Sequence, residues 1–303
     1  MQQSQGTARR PDVAATDRGP VAGGVLAMVL FSGNFACTRH GLENGLSIAD
    51  LVLIRYGVSG PLCLLVLLRI GLGGVTAGRA AVLTSLGGAP YFLLTAAALF
   101  FTSAAHGSIL NPGGTMVCGA LLAWLVLGEK PGAGVLLGAA ILVAGLAMIS
   151  GGPLLEGGGG GHAWIGDLLL LWSGFDWALF GVLMRRWRLS GLRTACVMGA
   201  CSLVWLPVHL LIFGLGGIFD APGAAAIQAG YQGLIAGWLA IILYSRAVEA
   251  LGPSQAVLLP PLVPALGVFW AWLLLGERVS ALQVAGMATV IAGMLVGALW
   301  RRR

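Results

Sequence analysis

One pattern of residues occurs twice in this sequence, and the two copies are in the same register. The repeated pairs, each separated by 148 positions, are Pro112 and Pro260, Trp124 and Trp272, Gly128 and Gly276, Glu129 and Glu277, Gly138 and Gly286, and Gly145 and Gly293. Self-similarity at one fixed interval indicates internal duplication. Each copy contains an apolar stretch, a charged turn and a second apolar stretch. The sequence therefore predicts a fold built from two copies of one unit.

The composition indicates the environment of these units. Only 9% of the 303 residues are charged and 58% are hydrophobic, whereas a soluble domain has about 25% charged residues. Such a chain cannot cover a water-facing surface, so we expect a membrane protein whose main partner is the lipid bilayer. The 17 Lys and Arg exceed the 11 Asp and Glu. They lie at the ends of apolar stretches rather than in one patch, which argues against nucleic acid as a partner.

Apolar stretches of membrane-spanning length follow one another from residue 21 onward, and a span needs about 20 residues. The ten predicted spans are residues 21–39, 48–70, 83–101, 105–127, 132–150, 164–184, 192–217, 225–246, 252–275 and 280–300. The predicted fold class is an all-α membrane protein with ten transmembrane helices arranged as two inverted five-helix repeats. The predicted segments are a disordered cytoplasmic tail at 1–20, a first repeat at 21–150, a Gly-rich linker at 151–163, a second repeat at 164–300 and a basic tail at 301–303.

The distribution of Lys and Arg predicts the orientation of the spans. With the amino terminus inside, 14 of the 17 basic residues fall in cytoplasmic segments; Arg39 and Arg278 fall outside and Arg55 lies within a span. Cytoplasmic loops carry the excess of basic residues in membrane proteins. We therefore expect an inner-membrane, multi-pass protein with both termini in the cytoplasm.

An odd number of spans in each unit inverts the second unit relative to the first. Lys130 then faces the cytoplasm while its counterpart Arg278 faces the other side. Inverted repeats with a binding site near the bilayer midplane are a recurrent design of secondary transporters. This arrangement predicts two alternative packings of similar energy, open to opposite sides.

Several short stretches together resemble one known family. They are Leu127-Gly128-Glu129-Lys130 and Leu275-Gly276-Glu277-Arg278, Ser32-Gly33-Asn34-Phe35, Leu53-Ile54-Arg55-Tyr56, Gly166-Asp167, and Leu243-Tyr244-Ser245-Arg246-Ala247. In this arrangement they resemble the EamA repeat of the drug/metabolite transporter superfamily, across residues 21–299. The resemblance implies an inner-membrane carrier of small metabolites, often an exporter, with a central cavity between the halves.

Asp176 is the most informative single residue, because apolar residues flank it for most of a span. It lies nine residues after Asp167, which corresponds to about 13 Å of helix rise and places it near the middle of the bilayer. A carboxylate there costs about 2.5 kcal/mol or more unless it meets water or a partner. Asp176 is therefore a candidate for proton coupling or for contact with a cationic substrate group. The alternative is a buried carboxylate that only fixes helix packing.

Two further ionisable residues lie within predicted spans. Arg55 could bind an anionic group, pair with Asp176, or extend to the interface as long basic side chains do. His209, placed well inside the predicted seventh span, could shuttle protons. A lone histidine in an apolar helix is equally compatible with hydrogen-bonded packing.

Uncharged polar residues and prolines complete the candidate site. Asn34, Asn111 and Tyr244 offer hydrogen bonds to a polar substrate, or join neighbouring helices. Pro112 in one half and Pro260 and Pro261 in the other predict helix breaks at corresponding positions, a sequence pointer to transporter sites.

The remaining candidates lie at the charged turns. We interpret Glu129 and Glu277 as hairpin caps and gates beside Lys130 and Arg278. The five cysteines lie in apolar segments without the spacing that metals require, so no metal and no cofactor is predicted.

The favoured hypothesis is a secondary transporter that exports a small amino-acid-like or amine metabolite by alternating access, with proton coupling through Asp176 as one mechanism. The alternative within transport is an uncoupled facilitator or exchanger. The rivals from other classes are a structural or assembly membrane protein and an intramembrane enzyme. The enzyme would need positioned reactive groups, and the spans offer no paired carboxylates, Ser/His pair or metal cluster. Protons are a further candidate partner, and the sequence leaves the oligomeric state open.

The topology gives a first prediction. A fluorescent protein fused after residue 303 is expected to fluoresce, and an alkaline phosphatase fused at the same place to be inactive, because the positive-inside rule keeps that end in the cytoplasm. A phosphatase fused after Gly45, in the first predicted outer loop, is the control and is expected to be active. An active phosphatase after residue 303 would reverse the orientation.

Overall fold

The computed structural model describes residues 18–155, 162–251 and 258–300, and these residues form helices without any strand. The helices are α1 (Arg18–Ser32), α2 (Asn34–Glu43), α3 (Ile48–Ile70), α4 (Ala77–Gly87), α5 (Ala89–Phe101), α6 (Ala104–Leu127), α7 (Ala133–Leu155), α8 (Ala163–Arg186), α9 (Gly191–Cys201), α10 (Trp205–Ile212), α11 (Gly216–Asp220), α12 (Pro222–Gln228), α13 (Ala240–Leu251), α14 (Leu262–Leu275) and α15 (Ala281–Trp300). A short 3₁₀ turn (Ser202–Val204) joins α9 to α10, and a π-helical segment (Ala229–Leu239) joins α12 to α13.

The helices have the lengths and the surface of a membrane protein. Within the described residues, eight helical spans are long and apolar enough to cross a bilayer, and two shorter apolar helices cover Ala133–Ile149 and Leu262–Leu275. Large apolar side chains point outward from the bundle, among them Leu68 at 74% and Leu211 at 87% exposed. Exposed leucine at this density is costly in water and favourable in lipid. The expectation of an all-helical membrane protein is confirmed.

Several helix ends differ from the predicted bounds. The first helix begins at Arg18 and includes three residues of the expected tail, while residues 1–17 lie outside the described part of the chain. Helix α7 continues to Leu155, into the expected linker, and residues 156–161 are outside the description. The boundary between the third and fourth spans falls at Thr102 and Ser103.

The predicted seventh span is too long at its end. It was expected to reach residue 217, but α10 ends at Ile212 and Gly214 follows with a φ of +69°. This left-handed conformation favours glycine and ends a helix. The chain then turns into the short helix α11 before α12 begins.

Side-chain caps explain where several helices begin. The Ser47 hydroxyl accepts from the Asp50 amide, and the Asp50 carboxylate accepts from the Ser47 amide at 3.0 Å, which is a capping box at the start of α3. The hydroxyl groups of Thr76 and Ser103 cap α4 and α6 in the same way. Capping satisfies the first backbone amides of a helix, which have no partner within the helix.

The two halves of the chain are packed into each other rather than side by side. Helix α6 lies against α8, α1 lies against α13, and α3 lies against α9 and the π-helical segment. Each of these pairs joins a helix of the first half to one of the second. Polar side chains on such helices therefore face residues that are far away in the sequence.

Glycines bring α7 and α15 into backbone contact. A Cβ on Gly138 would lie 2.7 Å from the Gly293 carbonyl oxygen, and a Cβ on Gly145 would lie 2.8 Å from the Gly286 carbonyl oxygen. Small residues allow such close approach between membrane helices. Gly138 and Gly286 are equivalent in the repeat, as are Gly145 and Gly293, so the two contacts are the same contact with the halves exchanged.

This packing predicts the effect of a single methyl group. Gly138→Ala is expected to lower the free energy of unfolding by about 1–3 kcal/mol, because the new Cβ meets backbone atoms that cannot move independently. Thermal unfolding in detergent micelles measures the change. Gly181→Ala on α8 is the control, since a Cβ there meets nothing within 4 Å. Equal stability of the two variants would contradict the described helix contact.

Candidate functional site

Polar residues from both halves lie within the helices of the bundle, away from the helix ends. Arg55 and Asn111 each lie seven residues after the start of their helices, Ile48 and Ala104, which is about 10 Å of rise. Asp176 lies 13 residues after the start of α8 and ten before its end, or about 20 Å and 15 Å from the two ends. We call this set the polar layer, and its members are Asn34, Arg55, Tyr91, Asn111, Ser173, Asp176 and Gln232.

Arg55 is held by two side-chain amides from opposite halves. Its Nη1 donates to the Asn34 Oδ1 at 2.9 Å and to the Gln232 Oε1. The guanidinium carbon lies 4.6 Å from the centre of the Phe92 ring, a cation–π contact. Arg55 is half-buried, and within the described part of the chain no carboxylate lies within ion-pair distance of it.

The amides that hold Arg55 come from irregular points of their helices. Asn34 follows Gly33, where α1 and α2 meet, and a Cβ on Gly33 would lie 2.2 Å from the Tyr231 hydroxyl. Gln232 lies in the π-helical segment and is fully buried. Such segments within membrane helices are frequent at functional sites.

Asn111 belongs to a second group of hydrogen bonds. Its Nδ2 donates to the Ser173 hydroxyl at 2.7 Å and to the Tyr91 hydroxyl at 3.2 Å. These bonds join α6 to α8 and to α5. Asn111 and Ser173 are buried and Tyr91 is half-buried, so this group fixes the packing of α6 against its two neighbours.

Asp176 has no partner of its own. It is half-buried on α8, and no described residue makes a hydrogen bond or an ion pair with its carboxylate. The next residue, Trp177, packs against the ring of Tyr91 with centroids 5.3 Å apart. Among the described residues Asp176 forms no ion pair with Arg55, the other half-buried charge of the polar layer.

His209 and Tyr244 lie apart from the polar layer. His209 is fully buried three residues before the end of α10, with its Nε2 3.4 Å from the Asp50 Oδ1. The expectation that it lies well inside a span was wrong, because Gly214 ends the helix early. Tyr244 packs edge-on against Phe31 with ring centroids 6.3 Å apart.

The prolines do not interrupt the two halves equally. Pro112 lies inside α6, whereas Pro260 and Pro261 lie in a turn directly before α14 begins at Leu262. The helix break at Pro260 and Pro261 stays a prediction, because residues 252–257 on the other side of the turn lie outside the described part of the chain. Proline is tolerated at a helix start, where its missing amide would have no partner.

The two charged turns have the same backbone but different side-chain contacts. Gly128 and Gly276 have φ of +73° and +66°, and the amide that follows each donates back to the Ala123 or Ala271 carbonyl oxygen at 3.2 Å and 3.3 Å. This is the Schellman end of a helix, which requires glycine. The Glu277 carboxylate accepts from the Ala104 and Ala105 amides at 2.9 Å and 3.0 Å. Glu129 instead pairs with the exposed Arg185.

Sequence reasoning missed a buried group beside Glu277. The His106 Nδ1 lies 2.9 Å from the Asp167 Oδ1, Thr102 donates to the same oxygen at 3.0 Å, and Gln283 lies 2.9 Å from the His106 Nε2. His106 and Asp167 lie near the starts of α6 and α8, where polar residues attract little attention. Gln228 and Gln232 were also missed, although two glutamines four residues apart in an apolar stretch are a usable signal.

The described residues do not form a metal site. In residues 18–155, 162–251 and 258–300, no cluster of three or more His, Cys, Asp or Glu side chains could hold a metal ion.

Comparison with known proteins places the chain among transporters. The model of the EamA-like transporter family matches residues 20–151 and 164–298. An uncharacterized protein of Pseudomonas aeruginosa is 29% identical over 274 residues, covering 89% of this chain and 91% of that protein. A protein of Streptantibioticus cattleyicolor is named "Probable terminal-alkyne amino-acid exporter". It is 29% identical over 291 residues, covering 90% of this chain and 91% of that protein.

One solved structure shares the fold. A crystal structure aligns with a TM-score of 0.63 and 18% identity over 93% of this chain and 98% of that chain. At this identity the likeness supports the helical architecture alone.

The divergence of Glu129 and Glu277 gives a prediction. Glu277→Ala is expected to lower the free energy of unfolding by about 0.5–2 kcal/mol, because it leaves two backbone amides at the start of α6 without their acceptor. The equivalent Glu129→Ala removes only an exposed ion pair, which is worth about 0–1 kcal/mol. Thermal unfolding of the two variants in one detergent compares them. A larger loss for Glu129→Ala would contradict the described contacts.

Proposed function

Because the chain belongs to the EamA-like transporter family, we propose that it exports a small amino-acid-like or amine metabolite by alternating access. Membership of this family makes it a membrane transporter rather than an enzyme. The relative named as an amino-acid exporter supports the substrate class. The observation that carries the proposal is the polar layer, which contains a half-buried cation and a half-buried carboxylate without ion-pair partners among the described residues.

The proposed architecture is ten transmembrane helices in two inverted five-helix repeats. The contacts between α7 and α15 support it, because Gly138 faces Gly293 and Gly145 faces Gly286. Exchange of the two halves turns one contact into the other, which is the relation that a two-fold axis in the membrane plane produces. The repeated Schellman ends at Gly128 and Gly276 support the same duplication.

The proposed orientation puts both termini in the cytoplasm of the inner membrane. It rests on the 14 of 17 basic residues that then lie in cytoplasmic segments. Glu277 then lies at the outer face, where its carboxylate joins a hairpin to the start of α6. Glu129 lies at the inner face with Arg185. Different contacts at the two ends are what one state of an alternating-access cycle requires.

Two roles are compatible with the position of Asp176. As a carboxylate without a partner near the bilayer middle, it is suited to bind a proton that couples transport. It is equally suited to contact the ammonium group of the substrate in an uncoupled facilitator or exchanger. Both roles need an accessible carboxylate, and its half-buried position is compatible with that.

Flux measurements test the function and separate these roles. In proteoliposomes, the native protein is expected to transport at least one of the L-amino acids, L-propargylglycine or small amines, measured with and without a pH gradient. If the gradient drives flux and Asp176→Asn abolishes that dependence, Asp176 is the coupling residue. If the gradient has no effect and Asp176→Asn lowers affinity for compounds with an amine, the facilitator is correct. Absence of flux for the whole set would contradict the proposed function.

A further inference from the structure

Arg55 uses one nitrogen of its guanidinium to bind the two amides. Both donations come from Nη1, to Asn34 and Gln232, and Nη1 has only two hydrogens. The Nε and Nη2 atoms carry the remaining three hydrogens, and the group within their reach is the neutral hydroxyl of the buried Tyr56 rather than a carboxylate. This is the edge with which arginine binds a carboxylate through two parallel bonds.

The orientation of the amide at Gln232 is fixed by its other bonds. Its Nε2 donates to the Thr38 hydroxyl at 2.7 Å and to the Asn34 carbonyl oxygen at 3.0 Å. Since both amide hydrogens are used on α2, the amide oxygen must point toward Arg55. Gln232 is fully buried and its amide is held in one orientation. Its oxygen therefore holds the Arg55 guanidinium in one position.

The charge of Arg55 is not compensated within the described part of the protein. Two other arginines have carboxylate partners: Arg39 pairs with Glu43 at 2.7 Å and Arg185 pairs with Glu129. Arg55 has two neutral oxygens and the face of Phe92. An unpaired charge away from bulk water is costly, and a bound anion would remove that cost.

We propose that the Nε–Nη2 edge of Arg55 binds the carboxylate of the transported amino acid, and that Asn34 and Gln232 position the guanidinium for it. This assignment rests on the proposed function and specifies its substrate as a compound with a carboxylate. The ammonium group is assigned to Asp176, the half-buried carboxylate of the polar layer, which has no hydrogen-bond or ion-pair partner among the described residues. A zwitterion satisfies both charges, and an amine or an ester satisfies only one of them.

The test compares acids with their esters. The probes are L-phenylalanine, L-norvaline and L-propargylglycine, each with its methyl ester and its decarboxylated amine. Competition for counterflow of the labelled amino acid in proteoliposomes measures the selectivity for acid over ester. The native protein is expected to favour the acid by about 10- to 100-fold, the effect of hydrogen bonds to a charged group. Arg55→Gln is expected to remove this selectivity, and Arg55→Lys to retain only part of it.

Gln232→Glu keeps the shape of the side chain and adds a negative charge, although it removes the Nε2 donor to Thr38 and Asn34. The new carboxylate would compensate Arg55 from within the protein. Acid over ester selectivity is then expected to fall toward one, while competition by the amine is unchanged. A variant that merely damaged the fold would lower binding of all probes together. Arg39→Lys is the matched control, and its selectivity is expected to equal that of the native protein.

The outcomes separate this inference from the proposed function. If the esters compete as well as the acids in the native protein, or if Arg55→Gln keeps the selectivity, the carboxylate site is wrong and transport stands. If no probe is transported but the acids raise the unfolding temperature of the native protein and not of Arg55→Gln, the site stands and the transport proposal is wrong. If no probe is transported and none stabilises the protein, both are wrong.

Discussion

A guanidinium without a counter-charge, about 10 Å below the start of a membrane helix, is the interaction on which this account depends. Arg55 is tolerated there because Asn34 and Gln232 accept its hydrogen bonds and Phe92 lies under its plane. Each support has its own structural origin: Asn34 follows the junction of α1 and α2 at Gly33, and Gln232 lies in the π-helical segment. Both points of irregular backbone thus contribute one acceptor to the same charge.

The two repeats share a backbone framework around this site, but the side chains at equivalent positions differ. The repeated glycines keep equivalent backbone conformations at Gly128 and Gly276. The glutamates that follow these glycines make different contacts, since Glu277 caps α6 and Glu129 pairs with Arg185. The polar layer is likewise asymmetric, since its cation, Arg55, lies in the first half and its carboxylate, Asp176, in the second.

The sequence was sufficient for whatever depends on local pattern, and insufficient for contacts between distant residues. Apolar length located most helices, and counting residues from Asp167 placed Asp176 in the interior of its predicted span. Gln232 was missed because its partners lie 177 and 194 positions away, at Arg55 and Thr38. The bond between His106 and Asp167 was missed for the same reason. The predicted end of the seventh span was wrong because the left-handed conformation of Gly214 ends the helix, although the apolar stretch continues past it.

The most direct measurement is a structure of the protein with a transported amino acid bound, determined in lipid nanodiscs. The account predicts density for the carboxylate within hydrogen-bond distance, about 3 Å, of the Arg55 Nε and Nη2 atoms, and for the ammonium group on the side of Asp176. Arg55 should remain bonded to Asn34 and Gln232. An amino acid bound elsewhere, or an Arg55 side chain paired directly with Asp176 in the bound state, would contradict it.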